Sequence, residues 1–257
     1  MVTFVSTDWV AERLHEPGVC LIDPRRPMKH MQGHLENAVN LPLYRCQDDG
    51  GMLLPTDELA ASIGAAGLDD ARTPILYDSP DGRNAAMLAW ILEYLGRTDV
   101  HVMDVFYERW AEEGRPILYR PVEVEACEFS VRLTPSVRAT VEEVSAATGS
   151  RLVDLRSAEE YRGEFDGDDK PGHLPGAVSI PWTELGSGGS ELLSEPIRLK
   201  ELLQAHGISA EDEIIAYCRS GPRAAIGYQA LRRYGYSVRL FDASYVEWTR
   251  RDLPVEI

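Results

Sequence analysis

The sequence predicts an α/β protein built as one domain written twice, each copy a mainly parallel sheet flanked by helices. The first observation behind this is a long internal match. Gly33-His34-Leu35-Glu36-Asn37-Ala38-Val39-Asn40-Leu41-Pro42 returns as Gly172-His173-Leu174-Pro175-Gly176-Ala177-Val178-Ser179-Ile180-Pro181, with six of ten positions identical. The second is that further matches keep the same order. Leu21-Ile22-Asp23-Pro24-Arg25 pairs with Leu152-Val153-Asp154-Leu155-Arg156, Arg83-Asn84-Ala85 with Arg223-Ala224-Ala225, and Tyr107–Trp110 with Tyr245–Trp248. A period this long is a duplicated domain rather than a solenoid unit. The third is that short apolar runs alternate with helical stretches inside each copy, as parallel strands with crossover helices require.

The elements follow in the same order in both copies. A helix opens at a Thr start, Thr7 to His15 and Thr140 to Thr148, and leads into a strand ending in Asp-x-Arg. A second short strand lies after the Gly-His turn, at Ala38–Leu41 and Ala177–Ile180. A third, Pro74–Tyr77 or Glu213–Tyr217, runs into a helix of about a dozen residues that stops at Gly96 or Gly235, where a left-handed C-terminal residue favours glycine. A last strand covers Val100–Met103 and Val238–Phe241. The second copy carries extra Asp/Gly-rich residues around Glu164–Pro171. These landmarks divide the chain into a first domain at 1–115, a connector at 116–133 that Pro116 and Pro121 mark as extended, and a second domain at 134–257.

Charge narrows the function classes. A formal net charge of −16 leaves no overall footprint for nucleic acid or for an anionic membrane surface. No apolar run approaches the ~18 residues of a membrane span. The start, Met1-Val2-Thr3-Phe4-Val5, has neither the basic nor the apolar part of a secretory signal. The four cysteines, Cys20, Cys46, Cys127 and Cys218, are widely spaced and suggest neither a disulfide framework nor a zinc site, so a cytoplasmic location is expected.

In parallel sheets, ligands bind where strands end and helices begin. In the second copy that turn reads Cys218-Arg219-Ser220-Gly221-Pro222-Arg223; in the first it reads Asp78-Ser79-Pro80-Asp81-Gly82-Arg83. A cysteine facing a helix N-terminus meets unpaired amides and the positive end of the helix dipole, which favour the nucleophilic thiolate. Gly221 permits a tight curl that turns amides inward, and Arg219 and Arg223 add cations for an oxyanion. Local charge agrees. Ile214–Phe241 holds Arg219, Arg223, Arg232, Arg233 and Arg239 with no acidic residue, whereas Pro74–Met103 sets Arg83 and Arg97 against Asp78, Asp81, Glu93 and Asp99. Cys20 and Cys127 read as apolar filler, and Cys46 beside Arg45 reads as a thiol in a polar loop.

On these motifs the chain resembles the tandem-domain rhodaneses over nearly its full length. The Asp-x-Arg strand ends, the paired Gly-His-Leu-x-x-Ala-Val turns, the Cys-Arg-x-Gly-x-Arg loop and the near-terminal Glu-Trp carry the resemblance. It implies two rhodanese-like domains, the first non-catalytic and the second catalytic. It also implies transfer of a sulfane sulfur from thiosulfate to cyanide, a thiol or a protein through a Cys218 persulfide. Arg219, Ser220, Gly221 and Arg223 would bind the substrate, with no metal or organic cofactor. Second domains of such enzymes often carry a substrate-binding arginine where this chain has Glu160, and Arg162 is expected to compensate.

Two relatives of that fold provide rivals. Phosphatases with a Cys-to-Arg loop place five residues between the two, whereas Arg219 to Pro222 are four, a ring suited to one sulfur rather than to phosphate. The 3-mercaptopyruvate sulfurtransferases resemble Cys-Gly-Ser-Gly-Val-Thr in the loop, and the arginines here favour thiosulfate instead. A persulfide relay without small-donor activity is the third alternative. His34 and His173 occur in both copies and are expected to stabilise turns. Asp23–Arg25 and Asp154–Arg156 are expected to be structural ion pairs, and Trp110 and Trp248 core anchors.

Overall fold

A computed structural model describes residues 2–146, 149–167, 169–185 and 196–257. The chain divides into two compact units, one reaching to Thr134 and the other starting at Pro135, with Gly50–Met52 grouped in the second. The first unit contains strands β1 (Thr3–Val5), β2 (Val19–Asp23), β3 (His34–Leu35), β4 (Val39–Asn40), β5 (Thr73–Leu76), β6 (His101–Met103) and β7 (Ile117–Leu118). Its helices are α1 (Thr7–Ala11), α2 (Pro27–Met31), α3 (Thr56–Ala65), α4 (Arg83–Tyr94) and α5 (Tyr107–Glu112). The sheet order is β1-β6-β5-β2-β4 with every neighbour parallel. β3 and β7 form a separate antiparallel ribbon.

The second unit contains β8 (Arg151–Asp154), β9 (Val178–Ser179), β10 (Glu213–Tyr217) and β11 (Ser237–Leu240). With them are α6 (Val141–Ser145), α7 (Ala158–Tyr161), α8 (Trp182–Leu185), α9 (Pro196–Ala205), α10 (Pro222–Arg233) and α11 (Ser244–Arg250). Its sheet runs β11-β10-β8-β9, again all parallel. Both units are therefore α/β domains of the predicted kind. Even the minor pairings recur: the parallel bridge Arg138↔Leu240 stands where β1 meets β6, and the antiparallel bridge His173↔Glu256 stands where β3 meets β7.

Some elements are shorter than the sequence suggests. α1 ends at Ala11 rather than His15, and α6 at Ser145, while Thr148 lies outside the described residues. Both start where a hydroxyl caps them: Ser6 accepts from the Trp9 amide, and Thr140 with Glu143 closes a capping box. α4 and α10 each run 12 residues, and the chain leaves them through Gly96 (φ 105) and Gly235 (φ 84). The stretch after β7 is extended and lies along the first unit, where the Cys127 amide donates to the Gly64 carbonyl and the Thr134 amide to that of Tyr94. A side chain at Gly64 would collide with the Cys127 carbonyl.

The two cores share one buried polar device. In the first unit Arg25 bonds both oxygens of Asp23 (2.9 and 2.7 Å) and the Gly33 carbonyl (2.8 Å), while Tyr77 donates to Asp23 at 2.8 Å. In the second, Arg156 bonds Asp154 (2.7 Å) and the Gly172 carbonyl (2.7 Å), and Tyr217 donates to Asp154 at 2.6 Å. The tyrosine oxygens then accept the Leu35 and Leu174 amides. Each Asp-x-Arg thus fastens a strand end to the Gly-His turn through a tyrosine that the motif itself does not contain. Burial opposes the Asp23 charge, but its bonds from His30, Arg25 and Tyr77 prevail and hold its pKa at about 2. Trp110 and Trp248 are core residues, their indole N–H groups donating to the Pro116 and Pro254 carbonyls.

Candidate active site

The second unit places Cys218 directly after β10 and four residues before α10 gains its first turn. Cys218 is 1% exposed, and its Sγ accepts the Gly221 amide at 3.1 Å. Gly221 has φ 104 and ψ −53, a backbone region that disfavours a side chain, and this geometry turns its N–H back onto the sulfur. Pro222 follows at the start of α10, where a missing N–H costs nothing. Cys218, Ser220, Gly221 and Arg223 therefore form one short arc over a helix N-terminus. The exposed Arg219 side chain reaches the Gly167 carbonyl at 2.5 Å, in the loop that the second copy adds.

Behind the loop, Ser244 supplies what sequence reasoning missed. Its Oγ accepts the Cys218 amide at 3.1 Å and donates to the Phe241 carbonyl at 2.7 Å. Ser244 is fully buried at φ 56, an uncommon conformation for a residue with a side chain. The Tyr245 and Val246 amides then bond the Cys218 and Arg219 carbonyls. The start of α11 thereby holds the outer strand of the loop in place.

Arg223 and Arg162 take unexpected places. Arg223 makes a two-pronged pair with Glu160 on α7, at 2.5 and 2.8 Å. Arg162 is half-exposed and bonds Glu164 at 2.8 and 2.9 Å, with Glu159 also near, and not the Cys218 loop. In this arrangement an adjacent carboxylate takes the Arg162 guanidinium. Ser157-x-x-Glu160 is a capping-box signature and was the available sign that Glu160 is fixed in direction.

The first unit holds a different loop in the equivalent place. Asp78 is buried, and its carboxylate accepts the amides of Ser79 (2.8 Å), Asn84 (2.7 Å) and Ala85 (2.9 Å). Arg83 is bound to Asp81 of the same loop. Burial outweighs the amides and pushes the Asp78 pKa up to about 6. The other thiols are poor nucleophiles: burial raises Cys20 and Cys46 to about 12 and also raises Cys127. Cys46 is fully buried, not exposed in a polar loop as its neighbours suggest, because it closes the turn Leu43–Arg45 with its side chain inward.

His34 and His173 are buried in the Gly-His turns. His34 bonds the His30 carbonyl and stacks on His30 at 3.6 Å; His173 bonds the Tyr161 carbonyl and stacks on Tyr161 at 3.6 Å. Among the described residues, no cluster of three or more His, Cys, Asp or Glu side chains is arranged to hold a metal ion, and no helix is long and apolar enough to cross a membrane.

Two parallel α/β units, one with a cysteine seated on a glycine-shaped loop at a helix N-terminus, define a duplicated domain with a thiol site in its second copy. The family model described as the rhodanese-like domain matches residues 6–113 and again 138–251. The chain belongs to the rhodanese-like domain family.

Relatives of similar length carry sulfurtransferase or sulfur-carrier names. The chain is 30% identical, over 99% of its length and 85% of the other, to a Synechococcus elongatus protein provisionally named a thiosulfate sulfurtransferase. It is 31% identical to the sulfur carrier protein TtuD of Thermus thermophilus, over 95% and 92%. It is 29% identical to the 3-mercaptopyruvate sulfurtransferase of Escherichia coli, over 98% and 97%. Among solved structures, the anaerobic ergothioneine biosynthesis enzyme of Chlorobium limicola superposes with a TM-score of 0.88 at 21% identity, covering 98% of this chain and 69% of that one. That likeness is one of fold.

Proposed function

We propose that the protein transfers sulfane sulfur from thiosulfate to a thiophilic acceptor, with Cys218 as the carrier. The observation that carries this reading is the seat of Sγ: it lies at the N-terminus of α10 with the Gly221 amide directed at it. An N–H donor and the positive helix end both suit a seat for a negatively charged group. The thiolate attacks the outer sulfur of thiosulfate, forming Cys218–S–S⁻ while the S–S bond of the donor breaks and its electron pair leaves with sulfite. A nucleophile such as cyanide or a thiolate then takes the terminal sulfur and returns Cys218 as thiolate. Both steps conserve charge and atoms, so neither needs a metal or an organic cofactor. Ser220 and Gly221 shape the ring around the sulfur, and Arg219 stands at its exposed side to attract the anion.

The four residues between Cys218 and Arg223 support a ring for a single sulfur over one for phosphate. A second reading, transfer from 3-mercaptopyruvate or from a protein persulfide, draws support from the pairing of Arg223 with Glu160, which takes one cation out of anion binding, and from the names of two relatives. Intact-mass measurement after thiosulfate treatment tests the first reading. The protein should gain about 32 Da on Cys218, removable by cyanide, and Cys218→Ser should gain nothing. Loading by 3-mercaptopyruvate but not by thiosulfate would transfer the conclusion to the second reading.

A further inference from the structure

The arginine that closes the Cys218 loop is balanced by a carboxylate held ready for it. Arg223 Nη1 and Nη2 meet the two oxygens of Glu160 at 2.5 and 2.8 Å. The side chains are 18% and 7% exposed, so water screens the pair weakly. Glu160 is fixed from a second side as well. Its Oε2 accepts the Ser157 amide at 2.9 Å while Ser157 Oγ accepts the Glu160 amide at 3.3 Å, the reciprocal bonds of a capping box on α7. The carboxylate is thus anchored by its own helix start and offered to Arg223 as a rigid fork.

The charges respond accordingly. Burial works against both ions, yet the bond to Arg223 brings the Glu160 carboxyl below its ordinary range. Arg223 is held above its ordinary value by Glu160 and by the nearby Cys218. A bidentate pair of this kind carries no net charge and commits two N–H groups of the guanidinium. A dianion arriving at Cys218 therefore meets an arginine whose charge is already compensated. The first copy carries other residues in these places. Lys29 occupies the position equivalent to Glu160, and Arg83 is taken by Asp81.

We propose that Glu160 is a specificity-determining residue of the Cys218 site: by neutralising Arg223 it reduces the advantage of doubly charged donors and lets singly charged persulfides compete as sulfur sources. This rests on the reading of Cys218 as the sulfur carrier. A persulfide donor R–S–S⁻ gives its outer sulfur to the Cys218 thiolate and leaves as R–S⁻, so the step balances without a co-reactant. Glu160 acts on the donor's charge through Arg223 and touches no reacting atom.

The test uses Glu160→Gln, which keeps the side-chain volume and an oxygen for the Ser157 amide. The rate kcat/KM is measured for thiosulfate and for 2-hydroxyethyl persulfide, which carries a single negative charge, with cyanide as acceptor. The thiosulfate-to-persulfide ratio should rise at least about fivefold in Glu160→Gln and return to the wild-type value or below in Glu160→Gln/Arg223→Gln. A ratio within about twofold of wild type in the single variant overturns the proposal.

A second readout needs no sulfur donor. The rates of Cys218 alkylation by anionic iodoacetate and neutral iodoacetamide are compared, resolved by peptide mass. Their quotient cancels thiolate fraction and access, and general loosening of the site would raise both rates alike. It should rise about fivefold in Glu160→Gln; an unchanged quotient overturns the role of Glu160 whatever the turnover shows. If neither donor loads Cys218 in any of the proteins, the sulfur-carrier reading fails by itself, while the alkylation quotient still decides the charge assignment.

Discussion

The two loops after β5 and β10 occupy equivalent places in their units and differ in what lies at the centre. In the first, the Asp78 carboxylate accepts three backbone amides and so fills its own anion cradle. In the second, Cys218 presents one sulfur to the Gly221 amide. The frames are otherwise alike, with the same Asp-Arg-Tyr device beneath and a helix of 12 residues beyond. The scaffold thus occurs twice, with a carboxylate at the centre of one loop and a thiol at the centre of the other.

The comparison breaks first if the chemistry is not confined to the second loop. Cys218→Ser should lower thiocyanate formation at least about a thousandfold. Adding Asp78→Cys to that variant should restore nothing, because the loop lacks the Gly221 geometry, its glycine Gly82 standing at φ 64 and ψ −1 rather than φ 104 and ψ −53. Measurable turnover from the double variant would show the loops to be interchangeable.

The shared scaffold is tested next. Arg156→Ala leaves the buried Asp154 without its counter-ion, and should cost about 3–5 kcal/mol in denaturant unfolding of the second unit. Arg25→Ala should cost a similar amount in the first, and a loss confined to one unit would show that the device is not equivalent.

A smaller effect is expected at the loop backbone. Gly221→Ala at φ 104 should cost about 1–3 kcal/mol of strain and slow persulfide formation about tenfold, with Cys218 still alkylated. An unchanged rate would separate the amide from the chemistry.

The smallest is a pH effect at Asp78. Burial raises its pKa from the ordinary 3.8 to about 6, so the folded state binds more protons than the unfolded one between those values. Stability from this group is present below about pH 4 and is lost as the pH rises through about 6. Melting temperatures of wild type and Asp78→Asn should therefore diverge by roughly a few degrees across that interval and run parallel above it. Parallel curves throughout would mean that Asp78 stays ionised at the lower pH.

Much of this was legible along the chain because it depends on local signals. Gly96 and Gly235 mark helix ends, Thr140 and Glu143 a helix start, and Cys218 to Arg223 a loop whose residue types declare their chemistry. The short strand β1 and the ribbon of β3 with β7 were not legible. Two or three residues carry no periodicity, and only a distant partner makes them strands. Cys46 was misread for a related reason, since polar neighbours in sequence do not decide which way a side chain turns.

The repeat, the α/β class and the position of the cysteine loop were determined by the sequence alone, because each is written in contiguous residues or in a fixed order of motifs. Which partner each charged group takes was decided by tertiary structure. Glu160 meets Arg223, Tyr217 meets Asp154 and Ser244 meets Cys218 only because parallel strands deliver their carboxyl ends, and the loops beyond them, to one edge of the sheet. Pairing across such distances depends on how those loops converge. Arg162, two residues from Glu160, bonds Glu164 instead, while Glu160 goes to Arg223.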